Sequence, residues 1–404
     1  MPTSRVGAAG WLVRIGRPEY ACIESAEMSS AGNRDANSSA TAVFPEAVGP
    51  NSASTKSNCM PRLWCLRSPR RADTPLVNLP RPFGGRTHLD GRPRELAAFI
   101  ALGAALSAAA VVGVSWAAGF GPVADRLRHV DARWLPLAVA AEVLAYVGYV
   151  LAYREVARVE DGPSLPHSRA LALVATGFGV FVARGGFSVD LHAFRQEFVD
   201  DREARVRVLG LGALEYALLA PATCIVAILL LLDHVHQPGT SLTMPWAIAV
   251  PAGGVLALSA LRLRDRLRGR HGWRDHVAQW LDSIHVIRQL FFKLEHAAGP
   301  IGTGIYWFGD IACLALCLRA FEGHFPSVAP LLIGYATGYA LTRRTLPLAG
   351  AGAVEALLPF ALLWTGTPLA AAVTAVLAYR IVNFWLPIVP AAFGLRSLRA
   401  AKPT

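Results

Sequence analysis

Three groups of residues in this chain have types and spacings that suit chemistry. The first runs Arg184-Gly185-Gly186-Phe187-Ser188-Val189-Asp190, with Arg195 beyond it. The second begins at Arg343-Arg344, passes Pro347, Gly350 and Gly352, and reaches a single carboxylate, Glu355, at the head of a long apolar run. The third is Arg380, which follows Tyr379 inside the last apolar run. Arginine is a permanent cation whose planar fork matches phosphate. Glycine leaves backbone N–H groups open to an anion, and it also lets helices approach closely, which is its more common use. A carboxylate at a helix start is stabilised by the helix dipole and by free N–H groups. Together these types suit recognition of a phosphate-bearing headgroup at the inner leaflet by Arg343, Arg344 and the N–H groups near Gly350 and Gly352. Glu355 would pair with those arginines when the site is empty, or with a headgroup amine when it is filled. Asp190 and Arg184 would form the opposite wall, with Arg380 reaching it from the final helix.

Plainer readings stand beside these. Glu355 can be a helix cap neutralised by Arg343 or Arg344. Arg184, Asp190 and Arg195 can be a salt-bridged loop, and Arg343-Arg344 can be anchors on the cytoplasmic side. Arg380 is more informative, because an arginine inside an apolar segment must face a cavity, a carboxylate or the interface. The same four residues, Leu-Ala-Tyr-Arg, end at Arg154, but there they close a span, and snorkelling accounts for them.

Several chemistries are not expected. Gly350-Ala351-Gly352 lacks a strand before it, so it is not a dinucleotide fingerprint, and there is no Walker-type lysine, HExxH or GxSxG. The pair His234 and His236 carries almost no metal signal. Six cysteines show neither zinc spacing nor a disulfide framework; Cys224, Cys313 and Cys317 fall in apolar segments and read as buried thiols. No catalytic residue, metal or cofactor is expected.

These residues must be positioned by a membrane protein. The 404 residues are 53% hydrophobic and only 17% charged, which fits a polytopic helical bundle better than a soluble globule. The formal net charge of +11 sits largely between apolar segments. It reads as topology information and attraction to anionic headgroups, not as nucleic-acid binding. Residues 1–94 are polar and aperiodic and are expected to be disordered; residues 95–400 form the transmembrane domain. Spans are expected at Leu96–Gly119, Trp134–Tyr153, Val208–Leu232, Pro245–Leu261, Ile301–Leu318, Ser327–Leu341, Val354–Trp364 and Pro368–Phe393. Ala170–Ala183 is short for a crossing and is expected to be re-entrant. Arg262 to Arg274 form a basic loop leading into an amphipathic helix near 273–297, whose face of Trp273, Val277, Trp280, Leu281, Ile284, Ile287, Phe291 and Leu294 is expected to lie on the cytoplasmic membrane surface. The fold class is thus all-α, with about eight spans plus a re-entrant segment. The protein is expected to be multi-pass in the cell membrane with both termini cytoplasmic. The likeness of Gly210–Glu215 to Gly350–Glu355 leaves an internal repeat open.

The glycine-broken motifs ending at Asp190 and Glu355, with the ending Val376-Leu-Ala-Tyr379-Arg380-Ile-Val-Asn-Phe-Trp385-Leu-Pro387, resemble the lysylphosphatidylglycerol synthase transmembrane family, also called flippase-like. The resemblance covers Leu96 to Arg399. The family shows a proline before its glycine pair and a glycine before the acid; here those places hold Arg184 and Val189. Full synthases add a soluble aminoacyl-transferase domain after the membrane part. This chain stops at Thr404, so the resemblance implies only the membrane half, which is associated with moving a lipid between leaflets, and no enzyme activity is expected. The first functional reading is translocation of a phospholipid or lipid-linked precursor, with anionic or phosphate-bearing lipids as partners. The alternative is a scaffold or binding subunit holding a separate lipid-modifying enzyme through the basic loop; a membrane-embedded transferase is a third.

Overall fold

The computed structural model describes residues 93–178, 188–198, 200–232, 240–267, 272–340, 346–391 and 393–394. The polar extension, the arginines Arg184, Arg343 and Arg344, and part of the basic loop lie outside these residues. All regular structure among the described residues is helical: α1 (Pro93–Ala118), α2 (Phe120–Arg128), α3 (Trp134–Arg158), α4 (His167–Gly177), α5 (Ser188–Glu197), α6 (Asp201–Leu232), α7 (Thr240–Leu261), α8 (Arg264–Leu267), α9 (Trp273–Phe292), α10 (Ala298–Glu322), α11 (Val328–Tyr335), α12 (Ala353–Trp364) and α13 (Leu369–Arg380). Two of them run on as π-helical turns, α11 through Ala336–Ala340 and α13 through Ile381–Trp385.

The most extensive packing in the molecule is α3 against α10. Its sequence cause is a row of small residues. A Cβ on Gly148 would stand 2.5 Å from the Gly302 carbonyl oxygen, and one on Gly309 would stand 2.5 Å from that of Ala141. Backbone therefore meets backbone along the seam, as small residues allow where no water drives association. Gly302 meets Gly148 and Ala152, whereas Gly309, further along α10, meets Ala141 and Ala145. The two helices are antiparallel, and their C-terminal ends point to opposite faces.

A short hairpin hangs from each of those ends. Beyond α3, α4 and α5 run antiparallel: Gly177 lies beside the Asp190 carboxylate, and Arg169 pairs with Glu197 at 2.5 Å near the other end. This accords with a segment that enters and leaves by one face; residues 179–187 between the helices are not described. Beyond α10, α11 and α12 form the second hairpin. Gly334 packs on Ala361, Leu362 and Thr365, and Gly338 packs on Leu358 and Ala361, again antiparallel.

The second hairpin is made of helices shorter than the other expected spans. Six helices among the described residues are long and apolar enough to cross a membrane: Ala97–Ala118, Trp134–Asp161, Asp201–Leu232, Ser241–Leu261, Leu294–Glu322 and Leu369–Ala391. The other two of the eight expected spans, Ser327–Leu341 and Val354–Trp364, are short. The 12 residues of α12 rise only about 18 Å, against about 30 Å of hydrocarbon. They pack side by side with α11.

The amphipathic helix is present as α9, with one face toward the protein and Trp273, Trp280 and Phe291 of the expected apolar face turned away from it. Ala278, Leu281, Asp282, Val286 and Leu290 turn inward, with α6 as the main neighbour. Asp282, off the apolar face, lies on the inward one because ion pairs hold it there. Its carboxylate accepts from Arg202 at 2.6 Å and from Arg264 at 2.7 Å, which clamps α9 to α6 and α8.

Candidate functional site

The second hairpin turns through a tight, left-handed backbone. Pro347–Gly350 form a single 3-10 turn, and Leu348, Gly350 and Gly352 have φ of 55°, 70° and 85°. Two of these positions hold glycine, for which such angles carry no steric penalty. At Gly352 there is also no room: a Cβ would meet the Leu106 carbonyl oxygen of α1 at 3.1 Å. Leu348 takes the strained angle with a side chain, held by burial in a small apolar cluster with Ala351 and Phe384.

This turn delivers Glu355 into the protein. Its Oε2 accepts from the Gly352 N–H at 2.7 Å, which caps α12. Its Oε1 accepts from Ser107 Oγ of α1 at 2.9 Å and from Arg380 Nε of α13 at 2.9 Å. The cap and the charge-pair readings of Glu355 therefore both hold, and the described cation that answers it is Arg380. The carboxylate is 2% exposed and the arginine 1%. The Arg380 guanidinium lies 4.2 Å from the Phe384 ring centroid, and its Nη2 is buried without a hydrogen-bond partner. The site thus holds a bonded ion pair with one guanidinium N–H direction still open to an acceptor.

Of the residues singled out by sequence, the structure joins Gly350, Gly352, Glu355 and Arg380. Asp190 lies in the first hairpin, in the opening turn of α5, and is 3% exposed. Glu215 is buried in the middle of α6 rather than at a helix start, so it is not the positional counterpart of Glu355. By place in the fold that counterpart is Asp190, since each opens the second helix of a hairpin.

A second polar group lies deeper, and the sequence reading passed over it. Asp310 of α10 is fully buried. It accepts from Tyr335 Oη at 2.6 Å, Tyr379 Oη at 2.7 Å and Asn383 Nδ2 at 3.0 Å. The same Asn383 nitrogen lies 3.0 Å from Glu142 Oε1 of α3, and Tyr339 donates to Asn383 Oδ1 at 2.9 Å. Glu142 and Asp310 are lone acids inside apolar runs, and that signal was available in the sequence. Asn383 and Tyr339 stand on the two π-helical turns, a device that often marks function. Ser107, which completes the Glu355 shell, carries no comparable signal.

Among the described residues no group of three or more His, Cys, Asp or Glu side chains could hold a metal ion. Cys224, Cys313 and Cys317 are buried and unbridged.

No curated protein and no solved structure matches the chain. The family model for the lysylphosphatidylglycerol synthase TM region matches residues 100–391, the stretch that contains both hairpins, the α3–α10 seam and the Glu355–Arg380 pair. With its six long apolar helices and two short hairpins, this multi-pass membrane protein belongs to the lysylphosphatidylglycerol synthase transmembrane-region family.

Proposed function

We propose that the protein moves a phosphate-bearing lipid between the leaflets of the cell membrane. The observation that carries this reading is Arg380: an arginine 1% exposed, bonded through Nε to Glu355, with Nη2 lacking an acceptor. A buried donor left unpaired costs about 1–3 kcal/mol, more when charged. A headgroup phosphate would satisfy it, and the guanidinium fork suits that oxygen geometry. Arg184, Asp190, Arg343 and Arg344 would line the remainder of the path.

Six spans put both termini on one face. The basic stretch after α7, with Arg262, Arg264, Arg266 and Arg274, falls on that same face and argues that it is cytoplasmic. In that frame the first hairpin enters from the cytoplasm and the second from outside. The headgroup would then be held between the leaflets, not at the inner one.

Reconstitution in vesicles of phosphatidylcholine and phosphatidylglycerol, with a headgroup-labelled phosphatidylglycerol, tests the reading. Arg380→Gln and Glu355→Gln are expected to slow exchange of the label strongly, while Arg266→Gln, an exposed residue, changes it little. Equal and mild effects of all three would overturn the site. If no labelled lipid crosses faster than in empty vesicles, and an enzyme co-purifies in fixed ratio, the scaffold role takes its place.

A further inference from the structure

We propose that Glu142 and Asp310 form a proton-binding site that couples proton movement to the conformation of α13, and through it to the headgroup site. The coupling to lipid rests on the reading above; the proton site does not.

The two carboxyl groups share one amide nitrogen, Asn383 Nδ2, at 3.0 Å from each. Ionised carboxylates only accept, so neither can donate to the other unless one carries a proton. Two like charges this close in a dry core are not both kept. Asp310 has the richer set of donors, with both Tyr335 and Tyr379 hydroxyls within 2.7 Å, so the negative charge belongs to Asp310 and the proton to Glu142. The groups around the pair are Tyr306 and Cys313 from α10, Tyr335 and Tyr339 from α11, and Tyr379, Arg380 and Asn383 from α13 with its π-helical turn.

An observation independent of the pair joins it to the headgroup site. Arg380, whose buried Nη2 is unpartnered, directly follows Tyr379 in the chain. It stands on α13 between Tyr379 and Asn383, which both bond Asp310, while its own Nε bonds Glu355. One helix therefore carries the contacts of both sites. When the proton leaves Glu142 as its O–H bond breaks to a water on one side, two carboxylates are left to compete for Asn383 and Arg380. When a proton from water on the other side binds, that competition ends and Arg380 is released toward Glu355 and the headgroup.

Two measurements test this. Infrared difference spectra of the purified protein, without added lipid substrate, should show a protonated carboxyl band at neutral pH that is lost in Glu142→Gln and lost or shifted in Asp310→Asn. It should persist in Arg380→Gln. If the band is missing from the wild type, or persists unchanged in both acid variants, the proton site is wrong. Should Asp310→Asn fail to fold, the isosteric Glu142→Gln alone decides. In the vesicles described above, an imposed pH gradient should change wild-type exchange of labelled phosphatidylglycerol several-fold, and Glu142→Gln should abolish that response. An unchanged response in Glu142→Gln overturns the coupling. A carboxyl band with no lipid exchange at all keeps the proton site and removes the lipid reading instead.

Discussion

The two hairpins hang from opposite ends of the same antiparallel pair, yet they are built differently. The first is polar and tied at its rim. Arg169 of α4 pairs with Glu197 of α5, and Arg195 pairs with Asp201 at the start of α6. The second is apolar along α11 and α12, with Glu355 as the acid of α12, and it is tied at its tip. The ties come from outside the hairpin, from Ser107 of α1 and Arg380 of α13. A rim pair is partly solvated and weakly coupled; a tip pair in a dry core is strongly coupled to the helices that supply it. The difference teaches that a buried charge pair ties the second hairpin to α13, whereas the described charge pairs of the first lie at its rim. The tip of its first helix also engages a long span, since Tyr216 of α6 donates to the Ala340 carbonyl at 2.7 Å.

Four substitutions sharpen or break this contrast. The largest effect is expected at the seam both hairpins share. A Cβ on Gly302 would stand 2.6 Å from the Gly148 carbonyl oxygen, with backbone rather than a flexible side chain in the way. Gly302→Val should therefore forfeit monodisperse folded protein in detergent, affecting both hairpins together; normal yield and melting would refute the seam's role. Next, Arg380→Gln leaves Glu355 buried without its cation, a change that costs roughly 3–5 kcal/mol. The double variant Arg380→Gln with Glu355→Gln should recover much of that loss in thermal unfolding. Additive losses would mean the two side chains are not a pair.

A smaller effect follows at the turn. Gly352→Ala forces a side chain into a left-handed φ at about 1–2 kcal/mol, with Leu106 of α1 in close contact. The expected signature is a lowered melting temperature together with increased proteolysis in the second hairpin; cleavage in the first instead would contradict the assignment. The smallest belongs to the rim. Arg169→Gln removes a partly exposed pair and should cost at most about 1 kcal/mol. A loss as large as that of Arg380→Gln would erase the distinction between the hairpins.

Much of the architecture was legible. The long spans announce themselves by length and hydropathy, since a helix of about 20 apolar residues has few other uses. The segment near Ala170 was readable from its length as too short for a full crossing. The packing of the second hairpin was not, because its two helices were read singly; their antiparallel contact runs through Gly334 and Gly338. Glu355 and Arg380 could each be singled out as ionisable groups at depth, but the sequence offered Arg343 and Arg344 as equally good partners for the acid. Glu142 and Asp310 were visible as lone acids, yet their meeting spans 168 positions in the chain (310 minus 142) and depends on which faces of α3 and α10 adjoin.

The tetrapeptide Leu-Ala-Tyr-Arg shows where the division falls. It occurs at Leu151–Arg154 and again at Leu377–Arg380. Sequence determined that both copies are helical and that both tyrosines, large and apolar over most of their surface, are buried; each is fully enclosed. The fate of the two arginines was not in the tetrapeptide. Arg154 lies near the end of α3 and turns outward to the Leu165 carbonyl at 2.9 Å and to His167. Arg380 stands where α1 and the second hairpin close over it, and its charge is met by Glu355, 25 residues earlier. Composition and period choose helix and membrane because those are local free energies. Which charge is enclosed, and by which partner, is decided only when the helices pack, because in a dry core a charge is tolerated solely where the fold supplies its counterpart.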